Sequence, residues 1–259
     1  MQGLSTVTLV ALAAFGLAAG VGITAIGPGG VLATAGLLLL THLSPAGVAG
    51  TAIVTHVATG ALGTLAYRRS GQLREPGTRR LARILAAVAV IGAPLGVIAN
   101  GLVSGSAFGV LLAAAVAVTG GLVWLRPRRG QRVPAAPPRA GGPPALQIAV
   151  LGLGVSIVAG MFGLGGPMLA VPLLVLAGTP VLGALGAAQA QSVVIAATGT
   201  IGYLIHGSID WPLAAVVGVP ELCGVLAGHR VAHAVPSRWL TYALGTALVA
   251  LAPWLLLHG

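Results

Sequence analysis

Gly27-Pro28-Gly29-Gly30 interrupts one long apolar run of this chain, and Gly163-Leu164-Gly165-Gly166 interrupts another 136 positions later. Glycine at that density ends a helix and bares backbone N–H and C=O groups. Lipid tolerates bare backbone only where protein or a water-filled cavity covers it. Matching breaks in two halves of a chain are the sequence sign of discontinuous helices around a transported solute.

The flanks of the breaks belong in a bilayer. Of 259 residues, 57% are hydrophobic and 6% charged, against roughly 25% charged in a soluble domain. Mean hydropathy is +1.02. Eight stretches reach the roughly 20 residues that a spanning helix needs: 6–26, 47–67, 84–103, 106–125, 146–162, 181–205, 211–227 and 239–257. Two shorter ones, 31–40 and 168–177, follow the breaks and read as half-helices or re-entrant segments. The expected fold is an all-α integral membrane protein with eight full spans and two half-helices.

All thirteen basic residues are arginine, against three acids. A pI near 11.8 suggests nucleic acid in a soluble protein. Here the arginines fall in loops, which points to membrane topology through the positive-inside rule and not to a nucleic-acid partner. The lone Cys223 excludes an internal disulfide or a cysteine metal cluster, and in its apolar segment it reads as a small packing residue. Residues 1–8 lack a basic n-region, so the first apolar segment is expected to be a retained helix.

One hydrophilic stretch, 126–145, is dense in Arg, Pro and Gly and divides the chain into an N-terminal half, 1–125, and a C-terminal half, 146–259. The halves correspond at the offset of 136. Gly47, Gly50 and Ala52 face Gly183, Gly186 and Ala188; Gly63-Thr64 and Tyr67 face Gly199-Thr200 and Tyr203. Yet Tyr67 is followed by Arg68, Arg69, Arg74, Arg79, Arg80 and Arg83, while the loop after Tyr203 holds no arginine. Cytoplasmic loops gather arginine, so the halves are expected to lie upside down relative to each other, as inverted repeats. Counting crossings from an inside Arg68–Arg83 loop leaves the linker inside, Asp210 outside and both termini outside, in a cell membrane.

The residues resemble the TauE/SafE family of membrane anion transporters, the sulfite exporter type. The resemblance rests on Ala159-Gly160-Met161-Phe162-Gly163-Leu164-Gly165-Gly166-Pro167, on Val171-Pro172-Leu173-Leu174, and on Ala187-Ala188-Gln189-Ala190-Gln191-Ser192. The first half is a looser match, with Gly36 where the second half has Pro172 and Pro28 inside the break. The resemblance implies movement of a small sulfur-containing anion, sulfite or an organosulfonate, without fixing which.

An anion can be held in mid-membrane by the free N–H groups and partial positive charge of a half-helix N-terminus. Gly27, Gly29, Gly30, Gly163, Gly165 and Gly166 are therefore candidate substrate-binding residues; the plainer reading is close helix packing. The next helix of each half adds Thr51, Thr55 and His56, and Gln189, Gln191 and Ser192. These could bond an oxyanion or simply bond neighbouring helices. His56 could carry a coupling proton or be a neutral core histidine. Glu221 is the one acid inside an expected helix and a second candidate for coupling a proton or cation; alternatives are a pair with Arg230 or His229, or a place near a helix end. Asp210-Trp211-Pro212 reads as a helix start, and Gly92, Gly96, Gly101, Gly224 and Gly228 as packing glycines.

Enzymatic readings find no support in the motifs. Ser104-Gly105-Ser106 has no histidine nearby, and His229 and His233 lack the glutamate of a zinc-protease motif. No cofactor is expected. A channel binding a cation on unwound carbonyls and a non-transporting assembly subunit are the competing readings. The oligomeric state is left open, a homo-oligomer included.

Overall fold

A computed structural model describes residues 4–130, 144–234, 242, 245–246 and 249–255, and their regular structure is helical throughout. The helices are α1 (Thr6–Ala25), α2 (Val31–Leu40), α3 (Pro45–Arg69), α4 (Pro76–Gly101), α5 (Gly105–Gly130), α6 (Ala145–Phe162), α7 (Pro167–Leu176), α8 (Val181–Ile205) and α9 (Trp211–Ala234). Among the described residues seven of them, all but α2 and α7, are long and apolar enough to cross a membrane. Of the expected eighth span, 239–257, residues 242, 245–246 and 249–255 are described, and they are helical. Outward-facing Val90, Ile91, Leu95 and Ile98 on α4, and Ile201, Leu204 and Ile205 on α8, give these helices an apolar surface suited to lipid. The chain is a multi-pass membrane protein.

Local chemistry sets the boundaries. Ser5 Oγ accepts from the Thr8 amide at 3.1 Å to start α1, and Ser44 caps α3 just before Pro45. Asp210 Oδ1 accepts from the Leu213 amide at 2.9 Å and starts α9, as its sequence suggested. Gly27 at φ +115 and Gly163 at φ +69 turn the chain out of α1 and α6 through the left-handed side, where a β-carbon is strained. The two ten-residue helices that follow reach only about 15 Å, half the hydrocarbon thickness. The bounds of α2 and α3, shifted by 136, are those of α7 and α8.

Four pairings make the core: α1 on α9, α4 on α6, α3 on α8 and α4 on α8. The first two are close parallel crossings over small residues. A β-carbon on Gly16 would stand 2.2 Å from the Val217 carbonyl oxygen, and one on Gly20 2.0 Å from that of Glu221. On the other crossing, a β-carbon on Gly96 would meet the Ile157 carbonyl oxygen at 2.1 Å. The α3–α8 pairing runs antiparallel, with Gly50 on Tyr203, Gly60 on Val193 and Gly186 on Tyr67. Under the 136-residue shift, α1–α9 maps onto α6–α4 and α3–α8 onto itself.

Two expectations fail. Cys223 is exposed on the outer side of α9 instead of packed, and a β-carbon on Gly101 would touch nothing within 4 Å. Gly92, Gly96, Gly224 and Gly228 do lie at helix crossings.

Candidate functional site

The two breaks meet. A β-carbon on Gly30 would stand 3.3 Å from the Gly165 amide nitrogen and 3.2 Å from His56 Nε2; one on Gly165 would stand 3.2 Å from Ser192 Oγ. The N-terminus of α2, the N-terminus of α7, His56 of α3 and Ser192 of α8 thus converge on one buried spot. Neither half-helix has a side-chain cap, because Gly30 and Gly166 occupy the capping positions. Two helix N-termini, each worth about half a positive charge, face each other there.

The opposite ends of the breaks are treated differently. The last carbonyls of α1 and α6 are orphans by geometry, and polar side chains take them up. Tyr67 Oη donates to the Thr24 carbonyl at 2.7 Å, and Gln189 Nε2 to that of Ile23 at 3.2 Å. Tyr203 Oη donates to the Gly160 carbonyl at 2.9 Å, and Asn100 Nδ2 to that of Met161 at 2.8 Å. Thr34 Oγ1 reaches the Gly163 carbonyl at 3.4 Å. The carbonyl ends are engaged, while the amide ends lack side-chain partners.

Beside the junction lies a buried polar triad. His56 Nδ1 faces Glu221 Oε1 at 2.8 Å, off the line of a full hydrogen bond. Thr55 Oγ1 lies 2.5 Å from Glu221 Oε2 and 2.8 Å from the Ala52 carbonyl, which share its single hydroxyl proton. His56 is 1% exposed and Glu221 is wholly buried, so each faces the other's polar group in a place where a lone one is costly. His56 Nε2 has no partner and points at the junction. Glu221 therefore pairs with neither Arg230 nor His229, as its sequence neighbourhood had allowed, and it sits far from either end of α9.

The remaining candidates lie elsewhere. Thr51 Oγ1 accepts from the Asp210 amide at 3.0 Å, near the start of α9. Gln189 holds α1, and Gln191 Nε2 donates to the Gly152 carbonyl and to Ser156 Oγ on α6. Gly27 packs on Val171, Gly29 on α1 and Gly163 on Ala49, while Gly166 abuts Ala188 and Ser192 on α8. The set brought together is Gly30, Gly165, His56 and Ser192, backed by Gly166, Thr55 and Glu221. Tyr67, Tyr203 and Asn100 had no site role in the sequence reading. The paired tyrosines at the 136-residue offset were the available signal, but their bonds to the ends of broken helices were not.

The gap beside Gly165, lined by Val155, Ala159, Leu164, Met168 and Leu169, is too small for a water molecule. Clefts open near the two ends of α3. One of about 390 Å³ lies between α3 and α9, edged by Arg69, His229 and Arg230. The other, about 450 Å³, lies by Ala46, Asn100, Tyr203, His206 and Ser208. Among the described residues no group of three His, Cys, Asp or Glu side chains could hold a metal ion.

Comparison with known proteins gives one extensive match. The family model described as "Sulfite exporter TauE/SafE" matches residues 12–255. A similar curated protein is the "Probable membrane transporter protein YdhB" of Bacillus subtilis (strain 168), 26% identical over 96 residues. That alignment covers 37% of this chain and 39% of the relative, so about two fifths of that protein's length is matched. No solved structure matches the chain.

Proposed function

This chain belongs to the sulfite exporter TauE/SafE family of membrane transporters, which are not enzymes, and from that premise we propose that it carries a small sulfur-containing anion, sulfite or an organosulfonate, across the cell membrane. The anion binds where the N-termini of α2 and α7 meet, between Gly30 and Gly165, with Ser192 and His56 as side-chain donors. The single observation behind this reading is the asymmetry of the breaks. Their carbonyl ends are taken up by Tyr67, Tyr203, Gln189 and Asn100, whereas their amide ends have no side-chain caps. A cation would need the carbonyls; an oxyanion needs the amides.

Transport proceeds by alternating access between two inverted repeats, 1–125 and 146–259, joined by an inside linker at 126–145, with both termini outside. The antiparallel run of α3 against its counterpart α8 supports the inversion. The separate clefts near the two ends of α3 support two routes of access. The cleft by Arg69 and Arg230 would draw anions on the inside face.

Counterflow of labelled sulfite and methanesulfonate in proteoliposomes tests the reading. Exchange of either anion is expected, with loss in Gly165→Val while the variant still inserts. Exchange that survives in Gly165→Val would make the break a scaffold and not a binding site.

A further inference from the structure

We infer that His56 and Glu221 form a proton-binding pair that obliges one proton to travel with each monovalent anion, which makes transport electroneutral. The inference rests on the anion site proposed above and adds its coupling ion and charge preference.

Glu221 presents Oε2 to the Thr55 hydroxyl and Oε1 to His56 Nδ1 at 2.8 Å. Two bare acceptors at that separation repel, so the pair holds at least one proton, on the ring or on the carboxyl. The chemistry of Nε2 then depends on whether the pair holds a second proton. With one proton, the pair carries a net charge of −1 and Nε2 is a bare lone pair. With two, the pair is neutral overall and Nε2–H is a donor.

Nε2 is buried, partnerless and set at the junction. An oxyanion at the junction calls for N–H at that position, because its oxygen repels a lone pair and accepts from N–H. Anion and proton therefore arrive together. The proton comes from water on the side open to the site, attaches to Nε2, and leaves to water on the other side with the anion.

The site's total charge is then constant. Unloaded, it is −1 on the pair; loaded with a monovalent anion, it is zero on the pair and −1 on the anion. A dianion would leave an additional uncompensated charge in the bilayer, where each one is costly, so monovalent anions are preferred.

Among the described residues no other ionisable group competes. Helices α1, α2 and α7 hold none. On α8, Tyr203 is bonded to the Gly160 carbonyl. Tyr67 of α3 is bonded to the Thr24 carbonyl. On α9, Cys223 faces outward and His229 and Arg230 line the cleft two turns away. Ser192 faces the region from α8 without charge. The repeat does not duplicate the device: at the 136-residue offset His56 corresponds to Ser192, and Glu221 to Leu85.

The test uses the full-length protein in liposomes loaded with a pH-reporting dye. An inward gradient of methanesulfonate is applied, with the membrane potential clamped by potassium and valinomycin. Methanesulfonate holds its single negative charge throughout the working range, so it carries no proton of its own. The expected result is lumenal acidification of about one proton per anion, with uptake unchanged by the sign of the potential and thiosulfate, a dianion, carried poorly. In His56→Gln, which keeps a neutral amide donor, residual anion flux should proceed without protons and respond to potential. Methanesulfonate flux without protons, or an unchanged proton-to-anion ratio in His56→Gln, overturns the coupling and leaves the anion site standing. If neither methanesulfonate nor sulfite moves in the unaltered protein, the anion site fails and the coupling falls with it.

Discussion

Replacing Gly20 with alanine should separate two helices that the unaltered protein holds in backbone contact. A β-carbon there would stand 2.0 Å from the Glu221 carbonyl oxygen and 2.8 Å from the Val225 amide nitrogen. Both are rigid backbone atoms, so no rotamer change relieves the clash. Reaching an ordinary contact of 3.4 Å requires α9 to withdraw by about 1.4 Å at that turn. Overpacking of this kind costs about 1–3 kcal/mol. Gly154→Ala is the matched control, since a β-carbon on Gly154 in α6 meets nothing within 4 Å. It should instead gain about 0.5–1 kcal/mol, the ordinary advantage of alanine over glycine in a helix. The same chemical change at two sites is therefore expected to differ by about 1.5–4 kcal/mol in stability. Equilibrium unfolding in mixed dodecylmaltoside and SDS micelles, followed by tryptophan fluorescence, measures the difference. The turn displaced carries Glu221, so anion exchange by Gly20→Ala should also fall in the folded fraction. Equal stability of the two variants would refute the close α1–α9 crossing and the packing argument built on it.

Other expectations follow from the buried polar groups and the junction. His56→Leu leaves the buried Glu221 carboxyl without the ring that faces it and should cost about 1–3 kcal/mol, much of it recovered in the double variant His56→Leu/Glu221→Leu; thermal unfolding in detergent would expose additive costs, which the contact forbids. Tyr67→Phe and Tyr203→Phe each free a buried carbonyl at the end of a broken helix, and each should lose about 1 kcal/mol in the same unfolding assay. A large inequality between the two would contradict their equivalent bonds to Thr24 and Gly160. Gly30→Ala places a methyl 3.2 Å from His56 Nε2 and should stop anion counterflow in protein that still elutes as a folded species; undiminished counterflow would move the binding site elsewhere.

Much of this protein was determined along the chain itself. Partition into lipid, the breaks at Gly27–Gly30 and Gly163–Gly166, the ten-residue helices after them and the Asp210 cap all depend on neighbours a few positions away. Local propensity and hydropathy decide such features. The 136-residue correspondence was legible for the same reason, because equal spacing yields equal elements. Only the tertiary structure decided which polar side chains meet. Thr55 and Glu221 lie 166 positions apart, and no local rule relates the rotation of α3 to that of α9. The same freedom turned Gln191 toward α6, Thr51 toward Asp210 and Cys223 outward. A helix in lipid can bury any face, and the face it buries is settled by where small residues let another backbone approach. Here Gly16, Gly20 and Gly224 seat α9 against α1, and in this packed arrangement a carboxylate lies beside a histidine at the junction of two half-helices.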